Sequence, residues 1–248
     1  MQIIMLSAIL IYQIVVAILD LKDMKKYKNM EITEKIRVHY YKETVLYGWL
    51  PTIFVLFFIV LTPLKLYDIG IRGIVLGENT WLNIITFVLS GIALAILVIQ
   101  SITCLTNKKY HKQILEELES KSDGENHYDV VVHKLMIPRT KKEKRWFFGV
   151  SLTAGICEEI IWRGTLIYLL QGIFPKLNIL LIGLIICVIF GVIHMYQGIH
   201  GIIKTAIVAA LFVMLYITTG SLFPGIVLHF LFDFSTAFLI QDDAIEAE

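Results

Sequence analysis

Seven long apolar stretches constrain this chain more than any other feature of its sequence. Crossing the hydrocarbon core of a bilayer takes roughly 20 mainly apolar residues in an α-helix. The stretches that meet this requirement are residues 1–20, 45–64, 81–105, 146–170, 177–196, 202–219 and 221–240. The composition agrees, because 57% of the 248 residues are hydrophobic and only 17% are charged, a balance that a soluble domain with a polar surface does not keep. We therefore predict an all-α fold, a polytopic membrane helix bundle of about seven transmembrane helices.

The predicted spans divide the chain into two parts and a tail. Residues 1–136 hold about three spans and a long basic loop, residues 137–240 hold the remaining spans, and residues 241–248 form an acidic tail. No internal repeat is visible, so we predict a single integrated membrane domain. Met1–Leu19 lacks a basic leading segment and a small-residue cleavage site, which indicates a retained helix rather than a signal peptide.

A shorter apolar segment, Leu66–Leu76, lies between the second and third predicted spans. Glycines, Asp68 and Arg72 interrupt it. We predict a re-entrant or interfacial piece, and the alternative is an additional span.

Basic residues are concentrated in two of the predicted loops. Those of the first loop are Lys22, Lys25, Lys26, Lys28, Lys35, Arg37 and Lys42. Those of the third loop run from Lys108 to Arg145. Because cytoplasmic loops are enriched in Lys and Arg, both loops are predicted to lie in the cytoplasm, with the N-terminus outside and the acidic tail inside. The overall charge of +1 gives no indication of a nucleic-acid partner.

The third loop has a pattern of its own. The acidic and basic residues of KKYHKQILEELESK recur at helical spacing, which predicts a solvated linker helix followed by a turn at Ser122–Asn126.

The three cysteines, Cys104, Cys157 and Cys187, all lie in apolar stretches without a CxxC spacing. This argues against both a disulfide framework and a thiolate metal site. We interpret them as small apolar packing residues. The alternative of a nucleophilic Cys157 is disfavoured, because a thiol buried among apolar groups stays protonated and unreactive.

Two adjacent glutamates, Glu158 and Glu159, lie inside the fourth predicted span, and Arg163 follows four residues after the second. Ionisable groups are costly in hydrocarbon and persist mainly where they face a polar interior. On an α-helix Glu159 and Arg163 share a face, whereas Glu158 points about 100° away. Arg163 is therefore expected to neutralise Glu159, leaving Glu158 as the free carboxylate and candidate proton acceptor. The alternative is that both glutamates only join helices through hydrogen bonds.

Two later spans carry polar residues of their own. His194 lies near the cytoplasmic end of the fifth span, and His229 and Asp233 lie one turn apart on one face of the seventh. Alone, His194 is as compatible with an interfacial role as with a functional one. With the glutamates, these residues offer ligands for zinc or a means of positioning a water molecule. The candidate zinc ligands are Glu158, Glu159, His194 and His229. No HExxH or GxSxG motif is present, so the acidic pair must carry any hydrolytic chemistry.

These residues resemble the motifs of the CAAX protease and bacteriocin-processing (CPBP, or Abi) family of intramembrane endopeptidases, which includes the type II CAAX prenyl endopeptidases. Three motifs of that family occur here in the same order and spacing: EExxxR (Glu158, Glu159, Arg163), FxxxH (Phe190, His194) and HxxxN/D (His229, Asp233). The resemblance covers about Ile137–Phe238, and the first three spans match the family in hydrophobicity alone.

The resemblance implies hydrolysis of a peptide or a membrane-protein terminus within the bilayer. Carried over from the family, Glu158 and His194 would activate a water molecule, and His229 and Asp233 would stabilise the tetrahedral intermediate. Glu159 would shape the site together with Arg163. Prenyl-processing members have asparagine at the position of Asp233, so this aspartate is either protonated, orients His229 or binds a metal.

The resemblance leaves the biological role open between peptide maturation and bacteriocin self-immunity. A non-catalytic immunity protein that binds a peptide or its receptor is the alternative function. A proton-coupled transporter is a third class, but it predicts repeated halves with broken helices, which the sequence does not show.

Overall fold

The computed structural model describes residues 1–107 and 127–239, and for residues 127–130 it describes the backbone alone. The described residues contain α-helices, one π-helix and short 3-10 helices, without a β-strand. The α-helices are α1 (Gln2–Tyr27), α2 (Glu34–Leu61), α3 (Thr80–Thr106), α4 (His127–Met136), α5 (Lys141–Thr153), α6 (Ile167–Ile173), α7 (Ile179–Ile193), α8 (Gly198–Thr219) and α9 (Phe223–Phe234). The π-helix is Ala154–Leu166, and the 3-10 helices are Met195–Gln197 and Ser235–Phe238. The predicted all-α class is confirmed. The predicted linker helix, its following turn and the acidic tail lie outside the described residues.

The lengths of the helices fit a polytopic membrane protein. Within the described ranges, four helical stretches are long and apolar enough to cross a bilayer: α1, α2, α3 and Met195–Thr219, which ends with α8. The apolar helices α7 and α9 are shorter, at 15 and 12 residues. The predicted span 146–170 lies within a continuous helical rod made of α5, the π-helix and α6. All seven predicted spans thus overlap helical structure, and the predicted membrane helix bundle is confirmed.

The outer faces of α1, α2 and α3 are apolar and exposed. Ile4, Val60 and Trp81 are among the large apolar side chains that project from them. A soluble protein rarely exposes apolar surface of this extent, whereas in a bilayer the same side chains contact lipid. The chain is therefore an integral membrane protein.

The rod formed by α5, the π-helix and α6 lies at the centre of the bundle. The π-helix packs against α2, α8 and α9, and its Trp162 and Leu166 are fully buried. Gly155 lies where α9 crosses the rod, because a Cβ atom there would lie 3.0 Å from the carbonyl oxygen of Ile226 and 3.1 Å from the amide nitrogen of Phe230. The absence of a side chain at Gly155 thus lets the α9 backbone approach the π-helix directly.

The beginning of the rod is fixed to α2 by a buried ion pair. Arg37 Nε lies 2.7 Å from Glu143 Oε1, and Glu143 is fully buried. The other carboxylate oxygen of Glu143 accepts hydrogen bonds from the amides of Arg139 (2.6 Å) and Thr140 (3.0 Å), and the Thr140 side chain caps α5. Because both oxygens of the Glu143 carboxylate are paired, this contact holds the N-terminal end of α5 against α2.

Residues 62–79 form an irregular segment that lies against the C-terminal end of α8 and the N-terminal end of α9. The amides of Val75 and Gly77 donate to the carbonyls of Thr219 and Thr218, each at 2.8 Å, and Arg72 Nε donates to the carbonyl of Gly220 at 2.6 Å. The segment contains no α-helix. The alternative of an additional span at Leu66–Leu76 is therefore wrong.

Candidate active site

The acidic pair lies on the π-helix, not on the α-helix that the sequence predicts. The backbone here is wound so that residue i bonds to residue i+5, and the hydroxyl of Thr165 likewise donates to the carbonyl of Ile160 at 2.8 Å. π-Helices are rare, occur mostly as single turns and are frequent at functional sites, whereas this one extends over 13 residues. Glycines near both ends allow the neighbouring chain to pack closely against this helix. Gly155 contacts α9, and Gly164 contacts the backbone of Ile69. The prediction of an α-helix around the acidic pair is therefore wrong.

The expected pairing of Glu159 with Arg163 is nevertheless present. Arg163 Nη1 lies 3.0 Å from Glu159 Oε1 as an ion pair, and His229 Nδ1 lies 2.9 Å from the same oxygen. The side chains of Glu159, Arg163 and His229 are 1%, 0% and 7% exposed. We call these three residues the anchored network. Buried charges are tolerated when they are paired in this way.

Aromatic rings complete the surroundings of the anchored network. The guanidinium of Arg163 lies 4.6 Å from the ring centroid of Phe190 and 5.2 Å from that of Phe212. Such cation–π contacts compensate a desolvated guanidinium. The imidazole of His229 stacks on Phe212 with centroids 4.7 Å apart. Phe212 thus fixes one face of the His229 ring and Glu159 fixes its Nδ1, which leaves Nε2 for other partners.

Glu158 and Asp233 flank the free edge of His229. Glu158 Oε2 lies 3.8 Å from His229 Nε2, and Asp233 Oδ2 lies 3.7 Å from the same atom. Both distances exceed that of a hydrogen bond. The two carboxylate side chains are 31% and 30% exposed, in contrast to Glu159. A small group placed between them can contact both carboxylates and the imidazole.

His194 lies where α7 ends. Its Nδ1 is 2.7 Å from the carbonyl oxygen of Phe190, one helical turn earlier. A carbonyl oxygen can only accept a hydrogen bond, so Nδ1 carries the hydrogen and Nε2 of a neutral ring is an acceptor. The chain then passes through the 3-10 turn to Gly198 at a φ of 76°, which turns it into α8. His194 is thus placed with its basic nitrogen available.

Glu158 and His194 line one internal cavity of about 110 Å³. Helices α1 and α2 contribute much of its remaining wall, including Asp20, Tyr40 and Tyr47. A water molecule takes about 30 Å³ in the liquid, so the cavity can hold water beside both side chains. The described structure thus places Glu158 and His194 in the wall of one cavity and places His229 Nε2 between Glu158 and Asp233, 3.8 Å and 3.7 Å from their carboxylate oxygens.

The side chains are not arranged as a metal site. Among the residues that the structure describes, no three His, Cys, Asp or Glu side chains are placed to hold a metal ion. Of the expected zinc ligands, Glu159 already forms an ion pair with Arg163 and a hydrogen bond with His229 through one oxygen. Glu158, His194 and His229 therefore fit the positioning of a water molecule better than the binding of zinc.

Several residues around the site were not assigned a role from the sequence. Phe190 forms part of a matched motif, yet its contacts with His194 and with Arg163 depend on the fold. Phe212 gives no signal in the sequence. Asp20 does give one, because it is an acidic residue at the end of the first apolar stretch.

The fold and the site define a class: an all-helical membrane protein in which an acidic pair and two histidines meet beside an internal cavity. Residues 142–235 match the family model described as Type II CAAX prenyl endopeptidase Rce1-like. The matched residues include the acidic pair, Arg163, both histidines and Asp233. These residues form an Rce1-like domain, which supports an assignment to the CAAX protease (CPBP) family. No curated protein and no solved structure gives a significant match to the chain.

Proposed function

We propose that this protein is an intramembrane endopeptidase that hydrolyses a peptide or a membrane-protein terminus. One observation carries the proposal: Glu158 and His194, whose Nε2 is left as an acceptor, both line one cavity, within an Rce1-like domain. A general base must reach the proton that it removes directly or through one water molecule, and a water molecule in this cavity meets that condition.

In the proposed reaction, His194 orients the cavity water and Glu158 takes one proton from it as the water oxygen attacks the carbonyl carbon of the scissile bond. The developing oxyanion lies beside His229, whose Nε2–H donates to it when the ring is protonated, and beside Asp233, which donates in its protonated form. The carbon–nitrogen bond then breaks, and the proton held by Glu158 passes to the leaving amine. Zinc is the alternative means of activating the water, and metal analysis of the purified protein distinguishes the two.

The anchored network supports this reaction without taking part in proton transfer. Glu159 accepts from His229 Nδ1 and fixes the ring, while Arg163 neutralises Glu159. Positioning residues of this kind keep catalytic groups in the productive geometry.

We further propose that the N-terminus lies outside the cell membrane and the C-terminus in the cytoplasm. The basic residues 22–42 and 108–145 support this orientation, since the positive-inside rule places both on the cytoplasmic side. His194 then lies towards the cytoplasm, where a soluble peptide segment can reach it.

The proposed biological role is peptide maturation or bacteriocin self-immunity. Comparative proteomics of membrane peptides from cells that express the wild-type or the Glu158→Ala protein tests catalysis and identifies substrates together. We expect cleavage products that occur only with the wild-type protein, and identical peptide profiles would contradict the proposal. If protection against a bacteriocin survives Glu158→Gln, the non-catalytic binding function is favoured instead.

A further inference from the structure

The cavity has an acidic residue in its wall that the proposed reaction does not use. Asp20, near the end of α1, lines the cavity together with Glu158. Of the described residues that line this cavity, none is Lys or Arg. The wall therefore carries two carboxylates and, among the described residues, no Lys or Arg.

Among the described residues, no cation forms an ion pair with Asp20. Its charged neighbours are Asp23, Glu43 and Glu158, all of them acidic. An anionic carboxylate among anions and inside a membrane protein is costly, and a cation supplied by a ligand would remove that cost.

The aromatic groups beside Asp20 also favour a cation. Tyr40 is 3% exposed and lines the cavity, and its hydroxyl has no hydrogen-bond partner among the described residues. Tyr12, Tyr47 and Tyr196 line the same cavity. Aromatic faces attract ammonium and guanidinium groups, and the Tyr40 hydroxyl is a free acceptor for their N–H groups. The unpartnered phenol and the unpaired carboxylate thus point to the same ligand chemistry.

We propose that Asp20 determines substrate specificity by binding a cationic group of the substrate, either a Lys or Arg side chain or a terminal ammonium. This inference rests on the proposed endopeptidase function. Because Asp20 and Glu158 line one cavity, the cation lies close to the scissile bond. Asp20 acts in binding and takes no part in proton transfer.

Synthetic peptides test this proposal with the purified full-length protein in lipid nanodiscs. The probes are N-acetylated apolar peptides that carry a single Lys, norleucine or Glu at successive positions, with cleavage followed by mass spectrometry. At one position we expect Lys to be preferred over norleucine by about tenfold in kcat/KM, through KM, because a charge-assisted hydrogen bond is lost with norleucine. Peptides with a free N-terminus form a second set, and a preference confined to that set identifies the terminal ammonium as the ligand.

Variants of α1 assign the preference to Asp20. Asp20→Asn is expected to abolish the preference for Lys over norleucine, and Asp20→Glu is expected to retain it. The matched control is Asp23→Asn, on the same helix but outside the cavity wall, which should keep the preference.

Three results would overturn the inference. If the wild-type protein cleaves Lys and norleucine peptides equally at every position in both peptide sets, or if Asp20→Asn keeps the preference, the specificity role is wrong while the peptidase activity stands. If no peptide is cleaved in a Glu158-dependent manner, the proposed function fails and the inference fails with it. The wild-type comparison needs no variant, so it decides the question even if Asp20→Asn does not fold.

Discussion

Two adjacent glutamates on one helix lie in opposite surroundings. Glu159 belongs to the anchored network, where it is 1% exposed and pairs with Arg163 and His229. Glu158 is 31% exposed, belongs to the cavity wall and approaches His229 only to 3.8 Å. A glutamate side chain thus serves as a fixed counter-charge at Glu159 and as an unpaired carboxylate at Glu158. Different surroundings give identical acids different roles.

This contrast is tested most strongly by Glu158→Gln. We expect a loss of peptidase activity of about 10²–10⁴-fold, the range attributed to general acid–base catalysis. The unfolding temperature should stay unchanged, because the Glu158 carboxylate makes no hydrogen bond in the described structure. Cleavage assays and thermal unfolding in detergent measure the two quantities. Glu78→Gln, at an exposed glutamate outside the site, is the control for loss of a carboxylate, and full activity in Glu158→Gln would remove Glu158 from the mechanism.

Substitution of Glu159 by Ala is expected to act on stability instead. It leaves Arg163 buried without its partner, and breaking a buried ion pair costs roughly 3–5 kcal/mol. The free energy of unfolding in a mild denaturing detergent measures this loss.

A double substitution separates charge pairing from catalysis. Glu159→Leu with Arg163→Met removes both charges, so much of the stability should return, while activity stays low because His229 has lost the partner of its Nδ1. Recovery of activity along with stability would show that Glu159 and Arg163 have no role in positioning His229.

Gly155→Ala tests the close approach of α9 to the π-helix, which places His229 beside the acidic pair. The added methyl meets backbone atoms of α9 at 3.0–3.1 Å, and overpacking of this kind costs about 1–3 kcal/mol. The control is Gly149→Ala in α5, where a Cβ atom meets nothing within 4 Å and the helix should gain up to about 1 kcal/mol. Thermal unfolding of both variants gives the comparison, and an equal shift in the two would contradict direct packing of α9 at Gly155.

The smallest effect is expected for Asp233→Asn. If Asp233 donates a hydrogen bond to the oxyanion, the amide of asparagine can replace it, and activity should stay within about tenfold of wild type. Steady-state kinetics check this expectation. A loss above about 10²-fold would show that Asp233 needs its carboxylate, either to orient His229 or to accept a proton.

The sequence predicted those features that depend on local patterns. Hydropathy located the helical regions, and the order of Glu159 and Arg163 along the chain identified which glutamate is paired. The π-helix was not predictable from a local pattern, and neither was the contact of Gly155 with the α9 backbone, which lies about 70 residues further along the chain. The same holds for the hydrogen bond between Glu159 and His229, since the sequence offered Asp233 as the nearer partner for that imidazole.

The walls of the cavity are a second feature that the sequence motifs did not predict. Asp20 and Tyr40 come from helices outside the matched residues 142–235. The motifs therefore located the reacting groups, whereas the residues that surround a substrate depend on how α1 and α2 pack against the Rce1-like domain.

The short helices beside the site have a consequence for the surrounding lipid. At about 1.5 Å per residue, α7 is roughly 22 Å long and α9 roughly 18 Å, given their 15 and 12 residues. The hydrocarbon core of a typical bilayer is about 30 Å thick. Around these two helices the membrane must thin, or its headgroups must descend along the protein. The aqueous phase thus comes nearer to Glu158 than its position in the chain suggests, which shortens the path that water follows to reach a peptide bond inside the bilayer.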